Sequence, residues 1–90
     1  MNLKLTPTQN PHFSSEVSDH EIILYSVQGN RFLHLNPTAA LVWEMCDGTR
    51  SAAELIASLK DIFPDNSDAL AADVEETLQA LVDNGCIHLA

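Results

Sequence analysis

Positive charge is scarce in this chain. Lys and Arg together number 4 against 13 Asp and Glu, giving a formal charge of -9 over 90 residues. The bases are Lys4, Arg31, Arg50 and Lys60, scattered along the chain, and none follows Lys60. Phosphate backbones attract basic surfaces and repel acidic ones, so the balance argues against a nucleic-acid partner. Long apolar runs are also missing. Nothing approaches the ~20 residues that a bilayer-spanning helix requires, and no membrane partner is expected. The opening "MNLKLTPTQNP" lacks the apolar centre of a signal peptide, which points to a cytoplasmic protein. The 3 glycines stand alone at turn positions, so there is no glycine loop to cradle a phosphate. Only 2 cysteines are present, Cys46 and Cys86, both on apolar stretches. They read as reduced, buried thiols rather than as a disulfide framework.

What is present is a modest hydrophobic fraction of 46% beside 19% charged residues, the balance of a globular chain. A domain this short commits most of its apolar residues to one core. Residues 1–11 contain Thr6-Pro7-Thr8 and Asn10-Pro11 and read as a loose, extended arm ahead of a domain at 12–90. Such an arm has the length to fold over a sheet or to exchange between protomers. A weak strand is expected over 12–17, then a turn at Ser18-Asp19-His20. The clearest strand is "EIILYSV" at 21–27, rich in β-branched and aromatic residues. Its apolar residues fall on both faces, which predicts cover on both sides. Gln28-Gly29-Asn30 has the residues of a tight hairpin turn. Arg31–Leu35 returns as a strand with Phe32 and His34 on one face and Arg31, Leu33 and Leu35 on the other.

Asn36-Pro37 is a helix start, with Asn as N-cap and Pro at the first helical position. Ala39, Val42, Trp43 and Cys46 then recur at helical spacing, and Ala40, Leu41 and Met45 make the helix apolar nearly all round. A helix of that kind belongs at the centre of a domain. Gly48 is placed to end it with a positive φ. Ser51-Ala-Ala-Glu54 is a capping box opening a second helix with Ala52, Leu55, Ile56, Leu59 and Phe63 on one stripe. Pro64 stops it. A third helix, capped by Ser67 or Asp68, runs to Asn84 with Ala71, Val74, Leu78, Leu81 and Val82 on its main stripe. Cys86–Leu89 alternates briefly as a last strand or tail. The predicted class is α+β: a three-stranded antiparallel sheet packed on three helices, with a helix-turn-helix-like bend between the first two.

Reactive constellations are sparse. Cys86 and His88 would share one face of a strand, but two ligands fall short of a structural zinc site and no third group orients the imidazole. No metal, cofactor or catalytic residue is therefore assigned, and the chain is not expected to be an enzyme. His34, alternating with leucines on a strand, is the histidine best placed to touch a peptide. The carboxylates Asp68, Asp73, Glu75, Glu76 and Asp83 read as a solvated helix face, or as an acidic rim attracting a basic partner.

The residues "FLHLNPTAALVWEMCDGTRSAAELIASL" followed by "FPDNSDALAADVEETLQALVDNGCI" resemble the PqqD-like family. The likeness rests on the Leu-Asn helix start, Val-Trp-Glu in the first helix, the Asp-Gly-x-x-Ser turn, and Val-x-x-x-Leu-x-x-Leu in the third helix. It covers about residues 12–89. It implies a peptide-binding winged-helix domain, or RiPP recognition element. The implied ligand is the leader segment of a ribosomally made precursor, added as a strand and presented to a modifying enzyme, often a radical SAM protein. Carried onto this chain, the resemblance assigns Arg31, Phe32, Leu33, His34 and Leu35 to the pairing strand. The facing third helix would supply Leu70, Asp73, Thr77 and Leu81 as the groove wall. A monomer or weak homodimer is expected. The competing reading from helix order alone is a winged-helix adaptor between proteins, or a transcription regulator. The charge balance and the absence of a basic recognition helix oppose the second of these.

Overall fold

The computed structural model describes residues 2–18, 21–27 and 31–90. Both expected hairpin turns, at Ser18-Asp19-His20 and at Gln28-Gly29-Asn30, extend outside the described residues. The elements in chain order are β1 (Pro7–Gln9), β2 (Phe13–Ser18), β3 (Glu21–Ser26), β4 (Phe32–Leu35), α1 (Pro37–Met45), α2 (Ala52–Ile62), a 3-10 turn (Pro64–Asn66), α3 (Ser67–Asp83) and β5 (Ile87–Leu89). β2, β3 and β4 form an antiparallel sheet in that order, and β1 pairs separately with β5. Three helices beside a three-stranded antiparallel sheet is the α+β, winged-helix-like arrangement expected. Among the described residues no helix is long and apolar enough to cross a membrane.

The central helix forms as its sequence dictates. Asn36 is extended (φ -70, ψ 171), its side chain accepts from the Ala39 N–H, and Pro37 follows at the first helical position. Ala39, Ala40, Val42, Trp43 and Cys46 are all buried. α1 packs against β3 and β4 on one side and against α3 on another. The helix ends at Met45 with Cys46 as its cap (φ -82), so Gly48 does not cap it. Gly48 lies two residues further on with φ +83, where a Cβ would stand 3.1 Å from Thr8 Oγ1. Its role is to let the first strand come close.

That first strand overturns the expectation of loose leading residues. β1 pairs with β5 through Pro7↔Leu89, Thr8↔His88 and Gln9↔Ile87, and Thr8 also bridges to Asp47. The segment satisfies helix ends as well. Gln9 donates from its backbone N–H to Cys46 C=O and from Nε2 to Trp43 C=O, both at 2.8 Å. The carbonyls of Leu5 and Leu3 accept from Ala52 N–H (2.8 Å) and Ala53 N–H (2.9 Å). The first amides of a helix have no partner within it. Here the arm supplies two, and the capping box of Ser51 and Glu54 supplies a third. Donation from Ser51 holds the Glu54 carboxyl below its ordinary value. Thr49 does the same for Asp47 in the bend between α1 and α2.

The core collects Leu24 and Leu35 from the sheet, Leu55 and Leu59 from α2, and Val74, Leu78 and Leu81 from α3. Phe63, expected on the α2 stripe, falls on the cap residue after the helix and is 37% exposed. The outer face of the sheet is not covered as expected: Ile23 and Tyr25 are half-buried, and Phe32 beside them is 69% exposed. Cys46 and Cys86 are free thiols, both buried. Cys46 donates to Val42 C=O at 3.0 Å. Burial, and secondarily the charge of Asp47, push its pKa from 9.0 up to about 12.

The ladder has a definite phase. Ser26 N–H donates to Arg31 C=O, and the register pairs Leu24 with Leu33 and Ile22 with Leu35. Antiparallel pairs alternate between bonded and non-bonded. The backbone groups of Leu33 and Leu35 therefore face β3, and those of Phe32 and His34 face away from it. β4 is an edge strand.

Three outcomes follow from this architecture. Ser51→Ala removes one half of the capping box and should cost about 1 kcal/mol, seen as a thermal midpoint lowered by about 4–8 °C in a domain of this size. In residue-resolved hydrogen exchange, the amides of Phe32 and His34 should exchange well before those of Leu33 and Leu35. Equal protection of all four would contradict the ladder phase. A thiol whose pKa is raised by folding stabilises the fold fully below the unfolded value near 9.0, and that contribution is lost as pH climbs towards about 12. The stability difference between wild type and Cys46→Ala, measured by urea unfolding, should be level below about pH 9 and shrink above it.

Candidate functional site

β4 and α3 both lean on α1, and the space left between them is a groove of about 320 Å³. Its floor is apolar. Leu35 (4% exposed), Ala39 (8%) and Leu81 (0%) are buried beneath it, and Leu33 is half-buried along one side. The strand rim carries His34 and Asn36, both exposed. The helix rim carries Asp73, Glu76 and Ala80, exposed, with Thr77 half-buried between them. His34 Nδ1 lies 3.5 Å from Glu21 Oε2, across the strand pair on the solvent side. Among the described residues neither Asp73 nor Glu76 has an ion-pair partner. The groove thus joins three features: a strand edge unpaired among the described residues, an apolar floor and a wall bearing two carboxylates.

Six of the expected residues meet here: Leu33, His34, Leu35, Asp73, Thr77 and Leu81. Three do not line this groove. Leu70 is only 6% exposed and belongs to the core. It lies one turn before Asp73, the first α3 residue of the groove, and shares the core cluster with Val74 and Leu78. Phe32 turns its side chain to the outer face of the sheet, so only its backbone bears on the edge. Arg31 stands beyond one end of the groove, with its guanidinium donating to Asn84 C=O at 3.4 Å. There it borders a second, wider depression of about 500 Å³ that also contains His12 and Asp83.

The lining residues that sequence reasoning missed are Asn36, Ala39, Glu76 and Ala80. A signal for two of them existed. Asp73, Glu76, Thr77, Ala80 and Leu81 follow the spacing i, i+3, i+4, i+7, i+8 of one helix face. Starting that face at Leu70 shifted it towards the core. Asn36 and Ala39 carried an N-cap and a core assignment, and both are true of them as well.

The titratable groups lining the groove are His34, Asp73 and Glu76. Cys86 and His88 do not share a face as the alternation suggested. Cys86 precedes β5 and is buried, while His88 is exposed. Burial raises the Cys86 thiol above its ordinary value, against a smaller opposing pull from Arg31. A raised pKa leaves less thiolate, the reactive form. Among the described residues no three His, Cys, Asp or Glu side chains gather where they could hold a metal ion.

Comparison with known proteins agrees with this architecture. The model for PqqD, described as coenzyme PQQ synthesis protein D, matches residues 21–87. Two curated relatives both carry the name PqqA binding protein. The one from Methylococcus capsulatus (strain ATCC 33009 / NCIMB 11132 / Bath) is 28% identical over 86 residues, spanning 96% of this chain and 86% of its own. The one from Azotobacter vinelandii (strain DJ / ATCC BAA-1303) is 32% identical over 83 residues, spanning 92% of this chain and 76% of its own. Among solved structures, TbiB1 in complex with the TbiA(beta) leader peptide shares the fold, with a TM-score of 0.74 over 90% of this chain and 94% of that one at 15% identity. With most of its length matched by the family model and by a relative at 32% identity, this chain belongs to the PqqD family.

Proposed function

We propose that this chain is a non-catalytic peptide-binding module. It takes up the leader segment of a ribosomally synthesised precursor by strand addition to β4 and presents it to a modifying enzyme, such as a radical SAM protein. The observation that carries the reading is the outward-facing backbone of Phe32 and His34 beside an apolar-floored groove. An edge strand with free N–H and C=O groups is a template for an incoming strand. Main-chain bonds then give affinity, and pockets for alternate side chains give selectivity. Both curated relatives are named for binding PqqA, and the structural neighbour is a complex with a leader peptide, which supports the same ligand class here.

In this reading the ligand strand lies along Arg31–Leu35, with the side chains of Leu33 and Leu35 on one side and Asp73, Thr77 and Leu81 on the other. Phe32 and His34 contribute their backbone. Arg31 meets whatever part of the peptide passes the end of α3. Residues 12–90 carry the groove, and residues 1–11 serve by bracing the α1–α2 bend. The module works in the cytoplasm, where a newly made precursor is released, as a monomer or weak homodimer. It needs no cofactor, because recognition here is hydrogen bonding and burial rather than bond making.

A proline on the strand edge tests this. The His34 N–H points away from β3, so His34→Pro removes a donor from the free edge without breaking the β3–β4 ladder. Titrating 15N-labelled protein with precursor peptides encoded near its gene should shift the Phe32 and His34 amides of the wild type. His34→Pro should keep its thermal midpoint to within a few degrees and bind about tenfold more weakly or worse. Unchanged affinity in a folded His34→Pro variant would remove strand addition to β4 as the binding mode.

A further inference from the structure

The phase of the β4 ladder settles which side chains of an added strand enter the groove. Phe32 and His34 offer the free backbone groups, so ligand residues opposite them form the bonded pairs. Ligand residues opposite Leu33 and Leu35 form the close, non-bonded pairs. Residues directly opposite one another share a face of the sheet. Leu33 and Leu35 face the helices, so two ligand residues, two positions apart, drop into the groove.

The two places differ in character. Arg31 ties the start of β4 to Asn84, just past the end of α3, while Asn36 shares the groove with Asp73. Strand and helix therefore run in opposite directions. Four strand residues cover about 13 Å at about 3.3 Å each, and the same length of helix holds about nine residues at about 1.5 Å each. Counting back from Asn84, Leu35 comes level with the turn of Asp73 and Glu76. Leu33 comes level with Thr77 and Ala80. The place beside Leu33 is walled by Thr77 and Ala80, with Leu81 beneath. The other has an apolar floor of Leu35 and Ala39 beneath two exposed carboxylates that have no ion pair among the described residues.

We propose that the groove selects an extended peptide bearing a Lys or Arg opposite Leu35 and an aliphatic residue opposite Leu33, two positions apart. This rests on the strand addition proposed above and adds to it a rule for ligand side chains. A long basic side chain suits the first place because its methylene stem covers the apolar floor while its charge reaches the carboxylates at the rim. An acidic side chain there would meet two like charges. The second place, walled by Thr77 and Ala80 and floored by Leu81, fits a medium aliphatic group.

A displayed library of random seven-residue peptides, panned against the full chain and against a D73N/E76Q variant, tests the rule. Both substitutions conserve shape at exposed positions, and a thermal scan checks that the variant folds. Wild type should enrich sequences with a basic residue two positions from an aliphatic one. In the variant the basic preference should fall roughly two- to fivefold, the scale of a partly exposed ion pair, while the aliphatic preference stays. Enrichment without basic residues, at another spacing, or with the preference unchanged in the variant overturns the rule. Amide shifts of Phe32 and His34 with the enriched peptides separate the two levels. Shifts without the basic preference sink the side-chain rule alone. Enriched peptides that leave both amides undisturbed, or a library that enriches nothing, sink strand addition and the rule together.

Discussion

The burial of α1 is the constraint on which the rest of the structure depends. A nine-residue helix with Ala39, Ala40, Val42 and Trp43 all out of solvent needs neighbours on several sides. The sheet covers one side through β3 and β4, and α3 covers another. Because both lean on the same short helix, they meet it at different places and do not close on each other. The groove between β4 and α3 is the gap that this arrangement leaves. Its floor is the apolar surface of the elements that pack there, which is why Leu35, Ala39 and Leu81 serve core and groove together.

The first residues hold this centre in place mainly by backbone bonds, with the Gln9 side chain adding one to Trp43 C=O. Gln9 satisfies carbonyls at the end of α1, and Leu3 and Leu5 satisfy amides at the start of α2. Helix ends are where hydrogen-bonding groups go unpaired. One short segment that completes two adjacent ends fixes the bend between them. The positive φ of Gly48 and the small separation from Thr8 are the steric condition for that approach. The pairing of β1 with β5 then ties the beginning of the domain to its end.

Legibility in the sequence followed side-chain chemistry. Asn36-Pro37 announced α1, and Ser51 with Glu54 announced α2, because caps work through side chains of recognisable type. The α1 stripe was readable because apolar residues recur at helical spacing. The arm was not readable, since most of its bonds come from main-chain groups that every residue possesses. On α3 the difficulty was phase. Asp73, Glu75 and Glu76 look alike in the sequence. A few tens of degrees of helix rotation decide which of them face the groove or the solvent. The family likeness named a strand and a helix without specifying that rotation.

The sequence by itself determined the kinds of element, their order, the acidic character of α3 and the scarcity of reactive groups. Each of these follows from local residue type and spacing. Only the tertiary structure decided which backbone groups of β4 stay free, since ladder phase depends on pairing with β3. Only it decided that Asp73 and Glu76 line one groove with Leu35 and Ala39. Those residues are far apart in the chain and are brought level by a strand and a helix running in opposite directions past a shared central helix. Such placement is a property of packing, and no pattern within a single element encodes it.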